Sequence, residues 1–182
     1  MTNDKELLAA ALRGDESAFT ALYRRRQGAV YRFALHMSGD AAVSEDVTQE
    51  VFMALLENGG RFDPARGTLI SFLYGVARNL LLRRLEKKRP EDSEGLVDEL
   101  AAEDDVLDDL TRRETIEAVR SAVLSLPAPY REAVVLCDLE NASYEDAAAA
   151  LECPVGTVRS RLSRGRAMLG QKLAVKAVRS MS

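Results

Sequence analysis

The sequence has no tryptophan, two cysteines and one histidine among its 182 residues, and these shortages exclude several classes of site. Cys137 and Cys153 cannot make a disulfide framework or a zinc ligand set, so we interpret both as small buried apolar side chains in a reducing cytoplasm. The single histidine, His36, lies within a helical pattern and is interpreted as structural. No metal and no cofactor are therefore expected.

Long apolar runs and catalytic motifs are missing as well. Residues 2–6 are polar and acidic, unlike a secretory signal, and no apolar run approaches the length that spans a membrane. There is no glycine-rich phosphate loop, and no Ser/His or Cys/His pairing that the chain order supports. We therefore expect a cytoplasmic protein with no stable membrane insertion, and one that is not an enzyme.

Apolar residues make up 47% of the chain, whereas glycine and proline number only 11 and 5. This composition favours helices nearly throughout. Residues 90–109 differ sharply, because they hold ten acidic residues and no lysine, arginine or aromatic residue. Such a segment cannot bury enough apolar surface to offset the entropy cost of ordering. The prediction is an all-α fold of two small helical domains, residues 1–89 and 112–182, joined by an acidic flexible linker at 90–111.

The second predicted domain contains a helix–turn–helix pattern. Ser143 and Asp146 have the spacing of a capping box before a short apolar helix, and Pro154 suits the first position of a second helix. Four residues form a narrow apolar stripe on that second helix: Val155, Val158, Leu162 and Leu169. The opposite side is polar and basic, with these residues on it or at its edges: Thr157, Arg159, Ser160, Arg161, Ser163 and Arg164.

Positive charge is concentrated at this end of the chain. After Glu152 the sequence has seven basic residues and no acidic one, although the formal net charge of the whole chain is −4. That segregation favours a polyanion partner, and a capped helix followed by a basic helix is typical of DNA reading in the major groove. The alternative is an ordinary surface helix with a solvated charged face.

Residues 46–57 predict a helix with two apolar faces. One is an ordinary core stripe formed by Val47, Val51, Ala54 and Leu55. Outside that stripe, Met53 and Leu56 lie among four acidic or amide residues: Asp46, Gln49, Glu50 and Glu57. The surplus apolar surface needs cover, either from another helix of the same chain or from a partner.

A loop rich in helix breakers, residues 58–67, precedes a helix predicted from Thr68 to about Arg89. In the loop, Phe62 has the appearance of an exposed aromatic residue and lies near two arginines, an arrangement that suits a splayed single-stranded base. The helix has a predicted buried stripe of Leu69, Phe72, Leu73, Val76 and Leu80. We expect Tyr74 and Arg78 to face outward.

These segments resemble the extracytoplasmic-function (ECF) group of bacterial sigma factors. Residues 45–52 and 71–79 resemble domain 2 of that family, and residues 143–146 and 154–161 resemble its domain 4. Leu126-Pro127 followed by Tyr130-Arg131-Glu132 also matches domain 4. Two departures occur: Phe72 stands where the family usually has tryptophan, and Arg83 stands where aspartate is common.

The resemblance implies a sigma factor that binds core RNA polymerase and directs promoter-specific transcription initiation. Four residues are implied to bind core polymerase: Asp46, Gln49, Glu50 and Met53. Six are implied to contact the −10 element of promoter DNA: Arg61, Phe62, Phe72, Tyr74, Arg78 and Asn79. Five are implied to contact the −35 element: Thr157, Arg159, Ser160, Arg161 and Arg164. Control by an anti-sigma factor, usually one linked to a membrane, is also implied.

Two other functions fit parts of the sequence. A helix–turn–helix repressor or activator would dimerise through its N-terminal half and bind a palindrome without polymerase. A sigma mimic would sequester a regulator and touch no DNA, although the basic terminal helix counts against it. Transcription in vitro with purified core polymerase distinguishes the three.

The acidic segment generates the first testable prediction. In the isolated protein, a protease should cut between Pro90 and about Ala102 well before it cuts either domain, because an unpacked backbone is readily cleaved. Mass spectrometry of the digest should recover two resistant helical fragments. Uniform resistance along the chain would contradict the prediction.

Overall fold

The computed structural model describes residues 3–87 and 108–180, here called the first half and the second half. Within these residues the regular structure is entirely helical, which confirms the all-α prediction. The α-helices are α1 (Asp4–Ala11), α2 (Glu16–Ser38), α3 (Ala41–Asn58), α4 (Leu69–Lys87), α5 (Asp108–Leu124), α6 (Ala128–Val134), α7 (Tyr144–Leu151) and α8 (Val155–Ser180). None of the described helices is long and apolar enough to cross a membrane.

Local sequence signals fix both ends of α2. The Asp15 carboxylate accepts hydrogen bonds from the amides of Ser17 and Ala18, at 2.9 and 3.0 Å, so it satisfies donors that an N-terminus leaves free. At the other end Gly39 has a φ of 71°, the left-handed conformation that glycine adopts without steric cost. Asp40 then caps α3 directly. The chain therefore reverses within two residues, and α3 packs back along α2.

The core of the first half forms around α2, which contacts α1, α3 and α4. Leu22, Val30 and Phe33 of α2 are fully buried there. From α3, Phe52 packs edge-on against Tyr23, with ring centroids 4.8 Å apart. Aromatic and branched aliphatic side chains thus supply the volume that tryptophan often provides, and they hold α3 in a fixed orientation.

In the second half, α6 and α8 pack closely because α8 has a glycine at the crossing. A Cβ atom at Gly165 would lie 2.7 Å from the Val134 side chain and 3.2 Å from the Tyr130 carbonyl oxygen. Leu162, one turn earlier on α8, is buried in the same contact. The close approach fixes the direction in which α8 leaves the bundle.

The predicted helix–turn–helix is present, with one shift at its second helix. The Ser143 hydroxyl accepts a hydrogen bond from the Asp146 amide at 3.0 Å, so α7 begins as expected. Glu152 ends α7 in the left-handed conformation, with a φ of 50°. Pro154 precedes α8 instead of occupying its first position, since its carbonyl oxygen accepts from the amides of Thr157 and Val158.

The helix α6 ends in a wider π-helical turn, Val135–Leu139, before Asn141 adopts a φ of 55°. The wide turn is closed by a hydrogen bond from the Glu140 amide to the Val135 carbonyl oxygen, at 2.9 Å. The extra residue in this turn directs Glu140 back toward the first half.

The two halves share one hydrophobic core. Val123, Leu136 and Ala147 of the second half belong to the same buried cluster as the α2–α4 core. The helix α4 lies directly against α7, and a Cβ atom at Gly75 would be 3.4 Å from the Ala150 carbonyl oxygen. The predicted linker and cleavage segment lies largely outside the described residues, although α5 already begins at Asp108.

Gly39 provides a test of this packing, because Leu124 of the second half covers it. A Cβ atom at Gly39 would lie 2.8 Å from the Leu124 side chain, whereas one at Gly14, with a φ of 93°, would meet nothing within 4 Å. Gly14→Ala should lower the free energy of unfolding by about 1 kcal/mol through backbone strain alone. Gly39→Ala should lower it further, because Leu124 must also move. Urea denaturation measures both, and equal losses would contradict the contact.

Candidate partner and nucleic-acid interfaces

The four residues predicted to bind polymerase lie on one outer face of α3. Asp46 and Gln49 are exposed and Glu50 is half-buried. Met53 is 61% exposed, and the neighbouring Leu56 is 43% exposed. The expected second face of this helix is therefore present, with apolar side chains open to solvent beside carboxylates. No other helix of the described residues covers Met53.

An arginine that the sequence analysis did not single out organises this face. Arg84 of α4 forms an ion pair with Glu50 and lies 3.7 Å from Asp46. A side chain 34 residues from Glu50 in sequence thus contacts two carboxylates that are one helical turn apart. In the sequence, Arg84 belongs to a basic run at the end of α4, and no local pattern distinguishes it from the neighbouring arginines and lysines.

The loop before α4 carries the first part of the predicted −10 set. Phe62 is half-buried, since its ring packs edge-on against Phe72 with centroids 5.8 Å apart, so its interpretation as an exposed aromatic is wrong. Contact with Phe72 removes apolar surface of the Phe62 ring from water, and this stabilises the buried position. Arg61 and Arg66 remain exposed around the pair.

These residues line a cleft of about 660 Å³ between the two halves. The opposite wall belongs to α7 and the turn before α8, and it includes Glu145, Glu152 and Cys153. One wall therefore carries Arg61 and Arg66 together with Asp63, whereas the charged side chains of the other wall are carboxylates. In this arrangement the acidic wall opposes the entry of a phosphate group.

Tyr74 and Arg78 do not face outward, which corrects the expectation for this part of α4. Tyr74 is 4% exposed, and its hydroxyl donates to the Glu140 carboxylate at 3.4 Å. The guanidinium of Arg78 donates to Glu132 at 2.8 Å. The reason is tertiary: the face of α4 that looks free in the sequence is the face on which the second half packs. Asn79 remains exposed.

The two carboxylates that cover this face are themselves buried. The side chains of Glu132 and Glu140 are only 3% and 1% exposed. Burial raises the pKa of Glu140, while a hydrogen bond from Arg32 at 3.1 Å acts in the opposite direction. Burial and the nearby Glu140 charge also raise the pKa of Tyr74, so its hydroxyl stays a hydrogen-bond donor. The sequence does not predict that either glutamate contacts the first half, because their partners are more than 50 residues away.

The predicted −35 set lies together on the outer side of α8. Arg159, Ser160 and Arg164 are exposed, and Thr157 and Arg161 are half-buried beside them. The guanidinium carbon of Arg159 lies 5.4 Å from the centre of the Tyr144 ring, within cation–π range. The contact found for Arg159 is therefore with an aromatic ring.

Further along α8, Arg166 ties the helix to the π-helical turn. Its guanidinium donates two hydrogen bonds to the Asp138 carboxylate, at 2.9 and 2.5 Å. This planar bidentate pair fixes the angle at which α8 presents its outer side. No local sequence pattern predicts this pairing, because Asp138 and Arg166 are 28 residues apart.

The structure thus brings together the polymerase set and the −35 set but divides the −10 set. Within the described residues, no group of three His, Cys, Asp or Glu side chains is arranged to hold a metal ion. Cys137 and Cys153 are both free and half-buried, and burial raises the pKa of the Cys137 thiol. The buried environment of His36, together with Arg120 and Arg32, lowers the pKa of that imidazole.

Comparison with known families matches both halves of the chain. Residues 22–91 match the model of Sigma-70 region 2, and residues 116–169 match that of Sigma-70, region 4. The chain is 37% identical to the ECF RNA polymerase sigma factor SigE of Mycolicibacterium smegmatis, over 88% of this chain and 65% of that protein. It is 33% identical to the RNA polymerase sigma-H factor of Pseudomonas aeruginosa, over 93% of each.

Solved structures show the same arrangement of helices. CnrH in complex with the cytosolic domain of CnrY aligns with a TM-score of 0.72 and 27% identity, over 94% of this chain and 97% of that one. The sigma factor RpoE in complex with the anti-sigma factor NepR from Bartonella quintana aligns with a TM-score of 0.67 and 25% identity, over 86% and 97%.

Proposed function

The chain belongs to the ECF sigma factors of the sigma-70 family, and on this basis we propose how its surfaces serve promoter-specific initiation of transcription. The outer face of α3 binds core RNA polymerase, α8 reads the −35 element, and α4 with the preceding loop reads the −10 element. The observation that carries the proposal is the separation of an acidic–apolar face on α3 from a basic face on α8.

The α3 face has the features of a protein-docking surface. Met53 and Leu56 supply apolar area that no described helix covers, and Asp46 and Glu50 supply negative charge around it. Apolar contacts surrounded by charges give both affinity and a defined orientation of the partner. Arg84 keeps the two carboxylates pointing from the same side of α3. We propose that the matching polymerase surface is apolar and basic.

The outer side of α8 has the features of a recognition helix. Arg159 and Ser160 lie near its N-terminal end, which is the part of such a helix that approaches base edges. An arginine offers a planar pair of donors that matches the two acceptors of guanine in the major groove. Contact with the Tyr144 ring limits the rotation of Arg159, so less side-chain entropy is lost when it reaches a base.

The −10 proposal requires a change in the arrangement of the halves. Phe62, Phe72 and Arg61 are accessible from the cleft, and Asn79 from solvent. Tyr74 and Arg78 are covered by the second half. Reading of the −10 element by all six residues therefore needs the second half to leave α4.

We further propose an anti-sigma partner, a cytoplasmic location and a role without catalysis by this chain. Support for the partner comes from the similar sigma factor of Bartonella quintana, which was solved with an anti-sigma factor. The decisive experiment for the function is in vitro transcription with purified core polymerase. A repressor-like protein would bind duplex DNA without polymerase, and a sigma mimic would support no transcription, so either result would replace this proposal.

Charge reversal on α3 tests the polymerase surface. The double variant Asp46→Lys/Glu50→Lys should lose most core-polymerase binding in a pull-down, because the docking charges change sign. Its circular dichroism should stay unchanged, since exposed ion pairs contribute at most about 1 kcal/mol to stability. The matched control reverses Glu114 and Glu117 on α5, which lie outside this face. Equal binding by both variants would contradict the assignment.

Substitutions at Tyr144 and Arg159 test base reading. Arg159→Ala should remove about 1–3 kcal/mol of preference among −35 variants, measured by transcription from promoters with single base changes. Tyr144→Ala should weaken the same preference by about two- to fivefold, as expected for an exposed cation–π contact. Tyr144→Phe keeps the aromatic ring and should therefore retain the preference among −35 variants.

Lys172→Ala serves as the control, because a phosphate contact carries no sequence information. It should weaken binding evenly across promoters and reduce the dependence on salt. If Arg159→Ala also lowers output equally on every promoter, Arg159 does not read bases.

A further inference from the structure

Four arginines lie in the first half of α8, and one of them differs from the others in its partner. Arg159, Arg161, Arg164 and Arg166 all belong to the helix that carries the predicted −35 set. Within the described residues, Arg166 alone among these four pairs with a carboxylate, that of Asp138. A helix whose basic face favours a polyanion therefore contains one guanidinium whose charge is already compensated inside the chain.

Arg166 lies on the same side of α8 as Arg159. Seven residues separate the two, which is close to two full turns of an α-helix, and the exposed Ser163 lies between them. The side chain of Arg166 is 54% exposed. Without a carboxylate partner, an arginine in this position would be available to a phosphate of the DNA that Arg159 approaches.

The Asp138 carboxylate occupies the donors that such a phosphate would use. Nε and Nη2 of Arg166 donate to its two oxygens at 2.9 and 2.5 Å, and this is the same fork of donors that arginine offers to phosphate. The pair as a whole is neutral, and the carboxylate would repel a phosphate that came close to the guanidinium. Because a neutral pair releases no counterions from DNA, it adds nothing to the electrostatic part of binding.

Packing holds the backbone in place on both sides of the pair. Asp138 belongs to the π-helical turn, in which Val135 and Leu136 are fully buried. Gly165, directly before Arg166, lies at the close crossing of α8 and α6. The two charged side chains therefore meet with little further loss of backbone freedom, which favours their pairing over a contact with a separate molecule.

We propose that Asp138 is a positioning residue that withholds Arg166 from the DNA backbone and thereby limits the sequence-independent affinity of α8. This inference rests on the proposed function of α8 and adds a control on the strength of that contact. Base preference stays with residues such as Arg159, because a phosphate contact carries no sequence information. Loss of the Asp138 carboxylate adds one phosphate contact at every DNA site, whatever its sequence.

Binding of the full-length protein to DNA at several salt concentrations tests this assignment. The probe is a short fluorescein-labelled duplex of mixed sequence, whose anisotropy reports binding between about 50 and 200 mM salt. Asp138→Asn should bind about fivefold more tightly near physiological salt, and the slope of log K against log salt should steepen by about 0.9, the value for one added phosphate contact. Arg166→Gln should keep the wild-type slope, because Arg166 makes no such contact in wild type.

Two double variants of equal net charge separate a released arginine from a simple change in charge. Asp138→Asn/Arg166→Gln removes the released guanidinium and should lose the gain. Asp138→Asn/Arg112→Gln instead removes an exposed arginine of α5 and should keep the gain. The circular dichroism of all variants should match that of wild type, since the Asp138–Arg166 pair is partly exposed and contributes little to stability.

Three results in these measurements would overturn the proposal. A shallower slope for Arg166→Gln means that Arg166 already contacts phosphate, and this result is decisive even if Asp138→Asn folds poorly. An unchanged slope for a folded Asp138→Asn means that no contact is withheld. A gain that survives in Asp138→Asn/Arg166→Gln reports only the lost negative charge.

Base preference tests the proposed function separately. A duplex library with randomised base pairs is selected on the full-length wild-type protein and sequenced. It should yield a preferred sequence, and Asp138→Asn should yield the same one. A different preference in Asp138→Asn would overturn the inference, because the pair would then position the base-reading side chains. No preference in wild type would refute base reading by α8, while the salt slopes on mixed-sequence DNA would still decide the role of Asp138.

Discussion

The rest of the structure depends on α4, which packs on the first-half core with one face and on the second half with another. Its apolar residues Leu73 and Ala77 are fully buried, and its polar residues Arg78 and Tyr74 meet carboxylates from the far end of the chain. The side chains of Arg78 and Tyr74 therefore have partners within the chain, whereas Asn79 and Arg83 of the same helix remain exposed.

Much of the fold follows from local sequence. The caps of α2 and α3 are set by Asp15, Gly39 and Asp40, whose physical effects act within one turn of the helix. The short helix α7 runs over the residues that its capping pair and apolar pattern predict. The exposed Met53 was also predictable, because its position disagrees with the core stripe of its own helix. Periodicity identifies a surplus apolar side chain even when it cannot name the partner.

The remaining features depend on contacts between distant residues. No local pattern shows that Arg78 meets Glu132 or that Tyr74 meets Glu140, because 54 and 66 residues separate them. Local sequence also does not predict the π-helical turn after α6, because its extra residue has an effect only through the position that it gives to Glu140. Periodicity separates a core face from an outer face, but it does not tell whether water or another helix lies against the outer one. The error over Tyr74 and Arg78 has this cause.

The distribution of charge, more than its total, relates the structure to promoter binding. A net charge of −4 would by itself disfavour contact with DNA. The basic residues of α8 nevertheless form an exposed face, whereas the carboxylates of Glu132 and Glu140 are turned inward against α4. The outer side of α8 is therefore open to solvent, whereas the two carboxylates face the interior between the halves, and the net charge alone would not reveal this difference.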